Sequence, residues 1–247
     1  MTAVRARVSS GNSPAAVLLM GFDLTDWAKQ GVLADLKPLA EKNGWDCVVP
    51  AAVQRFTKYK SKWITAPLAI HSINWVWANK EVLAKADVTG EPKTWDDFIA
   101  AAEKVQKAGY PAIAHGGQPC QEATVLNSVV LATGGADFYR KAFIELDSPA
   151  LSSPITIKVF QRMSQLRKLV DKEFSGRDWN VASGMVISGK AGFQIMGDWA
   201  KGEFSNAKKQ PGVDYLCSPC RAPRAACLSC RTSSRRSRSA PTRCLRK

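Results

Sequence analysis

The stretch TWDDFIAAAEKVQKAGYPAIAHGG, residues 94–117, joins a helical pattern directly to a short apolar segment. Thr94 is a suitable helix cap and Gly109 a suitable stop. Apolar side chains recur between them at the spacing of one helical face, at Trp95, Phe98, Ile99, Ala102 and Val105. The segment AIAHGG that follows has the short apolar character of a strand. Helices that alternate with such strands are typical of a layered α/β fold.

The same alternation continues along residues 1–214. A second helix is predicted from Ser153, with Pro154 at its first position. Its apolar stripe consists of Ile155, Val159, Phe160, Met163, Leu166 and Val170. The remaining predicted helices are residues 121–135, ending at Gly134–Gly135, and two short helices within residues 24–45, separated at Gly31. The segments predicted as strands are AVLLMGF, WITAPLAI continuing into INWVW, AIAHGG, AGFQIMG and VDYLC.

Charge is distributed unevenly along the 247-residue chain. Its formal net charge is +14, yet all 21 acidic residues lie at or before Asp214 and nine of the 35 Lys and Arg residues follow it. The composition also changes there to Cys, Arg, Ser, Pro and Ala, with no aromatic residue after Tyr215. Because this end has no periodic apolar pattern, we expect residues 214–247 to form a disordered tail. The residues before it are therefore expected to decide the function.

The stretch CSPCRAPRAACLSC, residues 217–230, allows three interpretations. Its two Cys-x-x-Cys pairs could bind zinc, but the six-residue gap between them is shorter than the roughly 15–20 residues of zinc ribbons. The four candidate ligands are Cys217, Cys220, Cys227 and Cys230. The arginines could bind nucleic acid, although no aromatic side chain is present to stack on a base. These are Arg221, Arg224, Arg231, Arg235, Arg236, Arg238, Arg243 and Arg246. A reading-frame shift in GC-rich coding DNA produces the same composition, and we favour it, so no metal site and no nucleic-acid partner are expected.

Six motifs follow one another along residues 4–216. They are GFDLTDWAKQGVLADL, KWITAPLAIHSINWVWANKEVL, TWDDFIAAAEKVQ, AIAHGGQPCQ, FSGRDWN and AGFQIMGDWAKGEF. In this order they resemble the sugar-binding subunits of bacterial ABC importers, and most of all the glucose/mannose type. An ordered set of motifs is more specific than any single short pattern.

The resemblance implies an α/β periplasmic binding protein of the two-lobe, type II-like form, which closes on one sugar. It divides the chain into a partial N-terminal lobe, residues 1–72, a nearly complete C-terminal lobe, residues 73–213, and the tail, residues 214–247. In the family, a strand, a helix and a secretion signal precede the position of Met1, and the chain after the second crossing returns to the first lobe. We therefore expect an incomplete first lobe and weak sugar binding.

The resemblance also implies partners and a compartment. The ligand would be a hexose such as glucose or mannose, and the protein partner would be an ABC permease in the membrane. Family members lie in the periplasm. This chain has no recognisable export signal and no apolar run near the roughly 18 residues that span a bilayer, so it would be cytoplasmic if translated as written.

Sugar recognition requires an aromatic ring for the C–H face of a pyranose and planar polar side chains for its hydroxyls. The resemblance matches Trp199 to a tryptophan that lines the sugar cleft, and the adjacent Asp198 could accept hydrogen bonds from hydroxyls. His71, at the predicted crossing between lobes, and the nearby Asn74 could bond to a ligand that bridges the lobes. Structural alternatives remain, because Trp199 could fill the core and His71 could be a satisfied structural histidine.

Two further candidates come from a loop and a helix start. Gln118 follows the Gly116–Gly117 turn and could point into the cleft from above the second-lobe sheet. His115, before this turn, could instead brace it. Asp23, in the motif GFDLTDW, is a weaker candidate that could equally be a helix cap. Cys120 stands where the family pattern prefers a tryptophan, which removes apolar surface near this loop.

The sequence lacks the signatures of common enzymes. It has no phosphate-binding Gly-rich loop, no G-x-S-x-G elbow and no HExxH motif. Asp96 and Asp97 are adjacent on a helix, so they cannot face each other as two catalytic carboxylates must, and we interpret them as helix-start charges. We therefore expect no enzymatic activity and no cofactor. The alternative function is a cytosolic α/β module with a basic tail that binds zinc or nucleic acid.

Overall fold

A computed structural model describes residues 2–19 and 21–220. The described chain divides into two compact units, of which the first ends at Ile70 and the second begins at His71. The first unit consists of short helices and a small antiparallel hairpin. Its elements are α1 (Thr2–Ser9), α2 (Phe22–Lys29), α3 (Lys37–Lys42), α4 (Trp45–Val48), α5 (Ala51–Thr57), β1 (Lys58–Tyr59) and β2 (Lys62–Trp63).

Two apolar segments of the first unit that were predicted as strands are irregular. Residues 16–19 of AVLLMGF form no strand, and in WITAPLAI, residues 63–70, only Trp63 belongs to one. Leu68 is 87% exposed. An apolar run becomes a strand only where a neighbouring strand takes up its backbone hydrogen bonds, and Pro67 has no N–H to contribute. Both strand predictions are therefore wrong, whereas the break between α2 and α3 is confirmed.

The second unit is built around three strands. Its elements are β3 (Trp75–Asn79), α6 (Lys80–Lys85), α7 (Trp95–Lys107), α8 (Pro119–Tyr139), a π-helical turn (Arg140–Ile144), α9 (Ser148–Leu151), α10 (Pro154–Leu169), α11 (Trp179–Ile187), β4 (Phe193–Met196), a 3-10 turn (Asp198–Ala200), α12 (Lys201–Asn206) and β5 (Tyr215–Pro219). The sheet has the order β4-β3-β5, and both pairings are antiparallel. The chain therefore crosses the sheet at its centre first and adds its two neighbours much later.

The sheet separates two hydrophobic cores. Because side chains alternate along a strand, Phe193 and Ile195 face the core formed with α7, α8 and α10. Trp77, Met196 and Tyr215 face the opposite core, formed with α11 and α12. Helices thus cover both faces of a sheet, which confirms the predicted α/β class.

Helix α7 is the element that the sequence predicted best. The Thr94 hydroxyl accepts a hydrogen bond from the Asp97 N–H at 3.1 Å, and the Asp97 carboxylate accepts one from the Thr94 N–H at 2.9 Å. This reciprocal capping box starts the helix. The same hydrogen bonds from Thr94 lower the pKa of Asp97. Gly109, with φ of 88°, follows the end of the helix as predicted.

Two helices differ in detail from their predictions. Helix α10 begins at Pro154 as predicted, but Phe160 is 61% exposed, so the predicted apolar stripe is wrong at that position. Helix α8 continues beyond Gly134–Gly135 to Tyr139, and Gly135, with φ of 75°, kinks it. The glycine interrupts the helical backbone as predicted, but the residues after it resume the helix.

The start of the predicted tail is ordered. Tyr215–Pro219 form β5 and pair with β3, and Cys220 is buried. A disordered tail from residue 214 is therefore wrong for residues 214–220. The strand predicted in VDYLC, residues 213–217, is confirmed by β5, which finds its hydrogen-bonding partner in β3. Residues 221–247, including Cys227, Cys230 and all eight tail arginines, lie outside the described residues. In the part of the chain that the structure describes, no helix is long and apolar enough to cross a membrane.

Candidate functional site

The turn after β4 carries two of the predicted site residues, Asp198 and Trp199. Trp199 packs against the core of α11 and α12 but stays partly exposed. Gly197 makes this position possible, because a Cβ atom there would lie 2.1 Å from the Trp199 ring. The indole thus folds back over the backbone of Gly197, at a place where any side chain would displace it.

Asp198 binds the segment that leads into β3. Its N–H donates to the Ser72 carbonyl at 2.9 Å, and its Oδ2 accepts from the Ser72 N–H at 3.1 Å. Its Oδ1 lies 2.7 Å from His71 Nδ1. The His71 ring in turn meets Trp199 edge-on, with ring centroids 5.6 Å apart and planes at 88°. Two pairs of adjacent residues, 126 positions apart, therefore form one cluster, which we call the Trp199 cluster: His71, Ser72, Asp198 and Trp199.

Asn74 adjoins this cluster through Ser72, whose hydroxyl donates to Asn74 Oδ1 at 2.9 Å. The Asn74 amide NH2 has no hydrogen-bond partner among the described residues and can donate to a ligand. The side chains of His71 and Asp198 are 51% and 37% exposed. The structure thus brings together the four predicted residues His71, Asn74, Asp198 and Trp199, as an aromatic face with a polar margin.

Gln118 lies in a different network. Its amide N–H donates to Asp178 Oδ1 at 2.5 Å, and its Oε1 accepts from the Gln121 amide at 3.1 Å. Gly116 is obligatory in the preceding turn, since a Cβ atom there would lie 1.9 Å from the Arg177 carbonyl oxygen. Each end of the Gln118 amide therefore has a partner within the fold, and each keeps one further hydrogen-bonding position. No hydrogen bond among the described residues joins Gln118 to the Trp199 cluster.

His115 braces the turn before α8, as its structural interpretation predicted. Its side chain is 7% exposed, its Nε2 lies 3.0 Å from Glu122 Oε1, and its ring stacks on Phe174. Its carbonyl accepts from Arg177, which also forms a two-pronged ion pair with Asp171. The histidine is thus held by its contact with Glu122 and by its stacking on Phe174.

Asp23 belongs to the first unit. It lies in the first turn of α2, and its carboxylate is 3.8 Å from the Arg5 guanidinium. The N-cap of α2 is Gly21, which has no side chain to bond, so the interpretation of Asp23 as a helix cap is wrong. The exposed ion pair contributes little to stability.

Over residues 1–216 the chain matches the model of one protein family, described as bacterial extracellular solute-binding protein. The chain belongs to this family. Two relatives, each named probable sugar-binding periplasmic protein, come from Rhizobium meliloti and Brucella suis. Each is 56% identical over 217 residues, which cover 88% of this chain and 52% and 51% of theirs. This solute-binding protein thus spans about half the length of the curated relatives it matches.

Solved structures agree with this family. A chitin oligosaccharide binding protein aligns with a TM-score of 0.70 at 22% identity, over 87% of this chain and 54% of its own. A sugar transporter from Arthrobacter chlorophenolicus A6 with bound laminaribiose aligns with a TM-score of 0.69 at 19% identity, over 90% and 56%. At such identities the likeness shows the fold alone. The periplasmic binding protein fold implied by the sequence motifs is therefore confirmed.

The zinc hypothesis finds no support in the part of this solute-binding protein that the structure describes. That part contains no group of three or more His, Cys, Asp or Glu side chains that could hold a metal ion. Cys217 lies in β5, and burial raises the pKa of Cys220 to about 12. Cys227 and Cys230 are outside the described residues.

Sequence reasoning missed three residues that shape the site. Gly197 leaves space for the indole. Ser72 bonds to Asp198 through both its N–H and its carbonyl, and Asp178 accepts a hydrogen bond from Gln118. Gly197 carried a detectable signal, because it stands between a strand and the candidate tryptophan. Ser72 and Asp178 carried none, because their partners are separated from them by 126 and 60 positions.

Proposed function

We propose that this chain is a sugar-binding component of a bacterial ABC importer and that it acts by binding, without catalysis. The observation that carries the proposal is the partly exposed indole of Trp199, held beside the polar groups of His71 and Asn74. An indole face suits the C–H face of a pyranose, and the polar margin suits its hydroxyls. The names of the curated relatives support the same class of ligand.

Within this site, Trp199 stacks on the sugar ring and gives most of the affinity. The Asn74 amide donates to a hydroxyl, since it is not occupied by a described residue. His71 can bond a second hydroxyl through its Nε2, because its Nδ1 is turned towards Asp198. Gln118 can contact a sugar through the remaining donor or lone pair of its amide. Asp23, in the first unit, stays a separate and weaker candidate.

The finer proposal is a hexose such as glucose or mannose as the ligand. It rests on the resemblance of the sequence motifs to the glucose/mannose type. Structurally similar proteins are described with a chitin oligosaccharide and with laminaribiose, so oligosaccharides are the competing ligand class. A narrow site for one ring would exclude them, whereas an open groove would accept them.

The membrane permease of an ABC importer is the proposed protein partner, and the periplasm is the proposed compartment. Two relatives are named periplasmic, and one from Pyrococcus horikoshii, 31% identical over 172 residues, is named an uncharacterized ABC transporter extracellular-binding protein. That match covers 69% of this chain and 38% of the relative. A binding role in solute uptake accounts for these names together.

Isothermal titration calorimetry of the whole chain tests the proposal, with glucose, mannose, galactose and laminaribiose as ligands. We expect weak one-to-one binding, and Trp199→Ala should raise Kd by about tenfold or more, since losing a stacked aromatic contact costs on the order of 1.4 kcal/mol. Trp199→Phe should raise Kd by a smaller factor, because the phenyl ring can still stack on the sugar. Phe160→Ala is the matched control, because Phe160 is an exposed aromatic residue on α10.

Each outcome of the calorimetry is decisive. Binding of glucose or mannose alone would support the hexose proposal, and binding of laminaribiose alone would replace it with an oligosaccharide. If no sugar binds, or if Trp199→Ala and Phe160→Ala leave the same affinity as the unmodified chain, the proposed site is wrong.

A further inference from the structure

We propose that Asp198 is a positioning residue, which with Ser72 and His71 fixes Trp199 in its binding orientation and does not itself bind the ligand. The proposal rests on the proposed function of Trp199. It departs from the sequence interpretation, in which Asp198 accepts hydrogen bonds from sugar hydroxyls. The evidence is the set of contacts that Asp198 makes, the space around Trp199, and the place of both in the sheet.

The first observation is that both carboxylate oxygens of Asp198 are already engaged. Oδ1 meets His71 Nδ1 at 2.7 Å, and Oδ2 accepts the Ser72 N–H at 3.1 Å. The Asp198 N–H donates to the Ser72 carbonyl at 2.9 Å. Asp198 thus contacts the segment His71–Ser72 through both its backbone N–H and its carboxylate. Each oxygen keeps a second lone pair, but these partners fix the plane of the carboxylate against the segment before β3, which suits a positioning role.

The second observation is that Trp199 is confined from two directions. The Gly197 backbone leaves no space for a Cβ on one side of the ring, and the His71 imidazole meets the ring edge-on. His71 is itself held by Asp198. The carboxylate therefore acts on the indole through the imidazole. A confined ring is in its binding rotamer before the ligand arrives, which lowers the cost of binding.

The third observation is that the contacts extend the sheet. The β3–β4 pairing has its last pair at Trp75 and Met196. The bond from the Asp198 N–H to Ser72 joins the same two chain segments beyond that pair. The turn that carries Trp199 is therefore bound to the segment directly before β3, next to the last pair of the sheet.

A double-mutant cycle separates positioning from direct contact. Without the anchor, Trp199 is free to distribute over about three staggered rotamers, so Asp198→Ala should raise Kd about threefold. In a Trp199→Ala background the same substitution should change Kd by no measurable factor, because the group it positions is gone. If Asp198→Ala raises Kd by the same factor in both backgrounds, Asp198 contacts the ligand and the proposal is overturned.

A ligand-free readout keeps the test independent of sugar binding. With 5-fluorotryptophan incorporated, the ¹⁹F resonance of Trp199 is identified by its loss in Trp199→Phe. We expect Asp198→Ala to shift and broaden this resonance. In Asp198→Asn its position and width should change less, because the amide oxygen can still accept a hydrogen bond from the Ser72 N–H. An unchanged resonance in Asp198→Ala overturns the proposal. If the sugars fail to bind but the resonance responds, the proposed function fails and the positioning role stands.

Discussion

Gly197 is the residue on which the position of Trp199 depends most directly. Gly197→Ala would place a Cβ 2.1 Å from the indole, so the ring must move. We expect Kd for sugar to rise about threefold or more, because the ring loses its preferred rotamer. The free energy of unfolding should fall by about 1–3 kcal/mol, because the added methyl group overpacks the site. Calorimetry and urea denaturation measure the two effects.

Gly202→Ala is the matched control for that substitution. Gly202 is an exposed residue of α12, and no atom lies within 4 Å of a Cβ added there. Replacing glycine by alanine in a helix stabilises it by about 0.5–1 kcal/mol. Binding should be unchanged. Equal losses of affinity in both variants would show that the Trp199 ring is not the cause.

We expect Cys220 to make the folded protein less stable at alkaline pH. Burial raises the pKa of its thiol to about 12, with Arg162 acting in the opposite direction. An unfolded thiol ionises near pH 8.5, so above that pH only the unfolded state releases the proton, and the free energy of unfolding falls by up to about 1.4 kcal/mol per pH unit. The stability that the buried Cys220 thiol contributes is fully present below pH 8.5 and is lost as the pH approaches 12.

Urea denaturation at pH 8 and pH 10 measures this effect. In Cys220→Ala the decrease between the two pH values should be smaller than in the unmodified chain. A decrease of the same size in both would contradict the assignment. Alkylation adds a second comparison, because exposed Cys120 should react with iodoacetamide at pH 8 while Cys220 stays unmodified.

At the same scale, the predictability of the site depends on how far its residues are separated along the chain. Trp199 and Asp198 were found because a motif of adjacent residues carries them. The role of Asp198 could not be found, since its partner Ser72 lies 126 positions away and only the sheet brings them together. The partner Asp178 of Gln118 was hidden for the same reason, because it lies 60 positions away.

Helix α7 provides the prediction at the scale of an element. Thr94→Ala removes the hydroxyl that caps the helix and should lower the free energy of unfolding by about 1 kcal/mol. Ser153 is the matched control, because it is the N-cap of α10 but makes no capping bond, and its buried hydroxyl has no partner among the described residues. Ser153→Ala should therefore be neutral or stabilising. The reverse order of the two effects would contradict the capping assignments.

Elements were predictable where their signals are local. The α7 capping box and its apolar spacing lie within one segment, so the helix was predicted nearly to its ends. The strands depended on remote partners. Strands β4 and β5 both pair with β3, while residues 65–70, also largely apolar, belong to no strand of the described chain. Apolar character alone does not reveal which segment finds a partner.

At the scale of the whole molecule, the second unit is the framework that carries Trp199. The second unit has a sheet with a hydrophobic core on each face, and this framework holds Trp199 at the end of β4. Its family was predictable from six ordered motifs, since these span most of the residues that the family model matches. The ligand was not, because sugar specificity depends on side chains that surround the ring in space.

Saturation-transfer NMR on the whole chain tests the central claim, that a sugar ring stacks on Trp199. Aromatic protons are saturated selectively, and the signals of bound glucose, mannose or laminaribiose are observed. The account predicts strong transfer to the protons of one C–H face of the pyranose, and its loss in Trp199→Ala but not in Phe160→Ala. Absence of transfer to any of these sugars, or equal transfer in both variants, would contradict it.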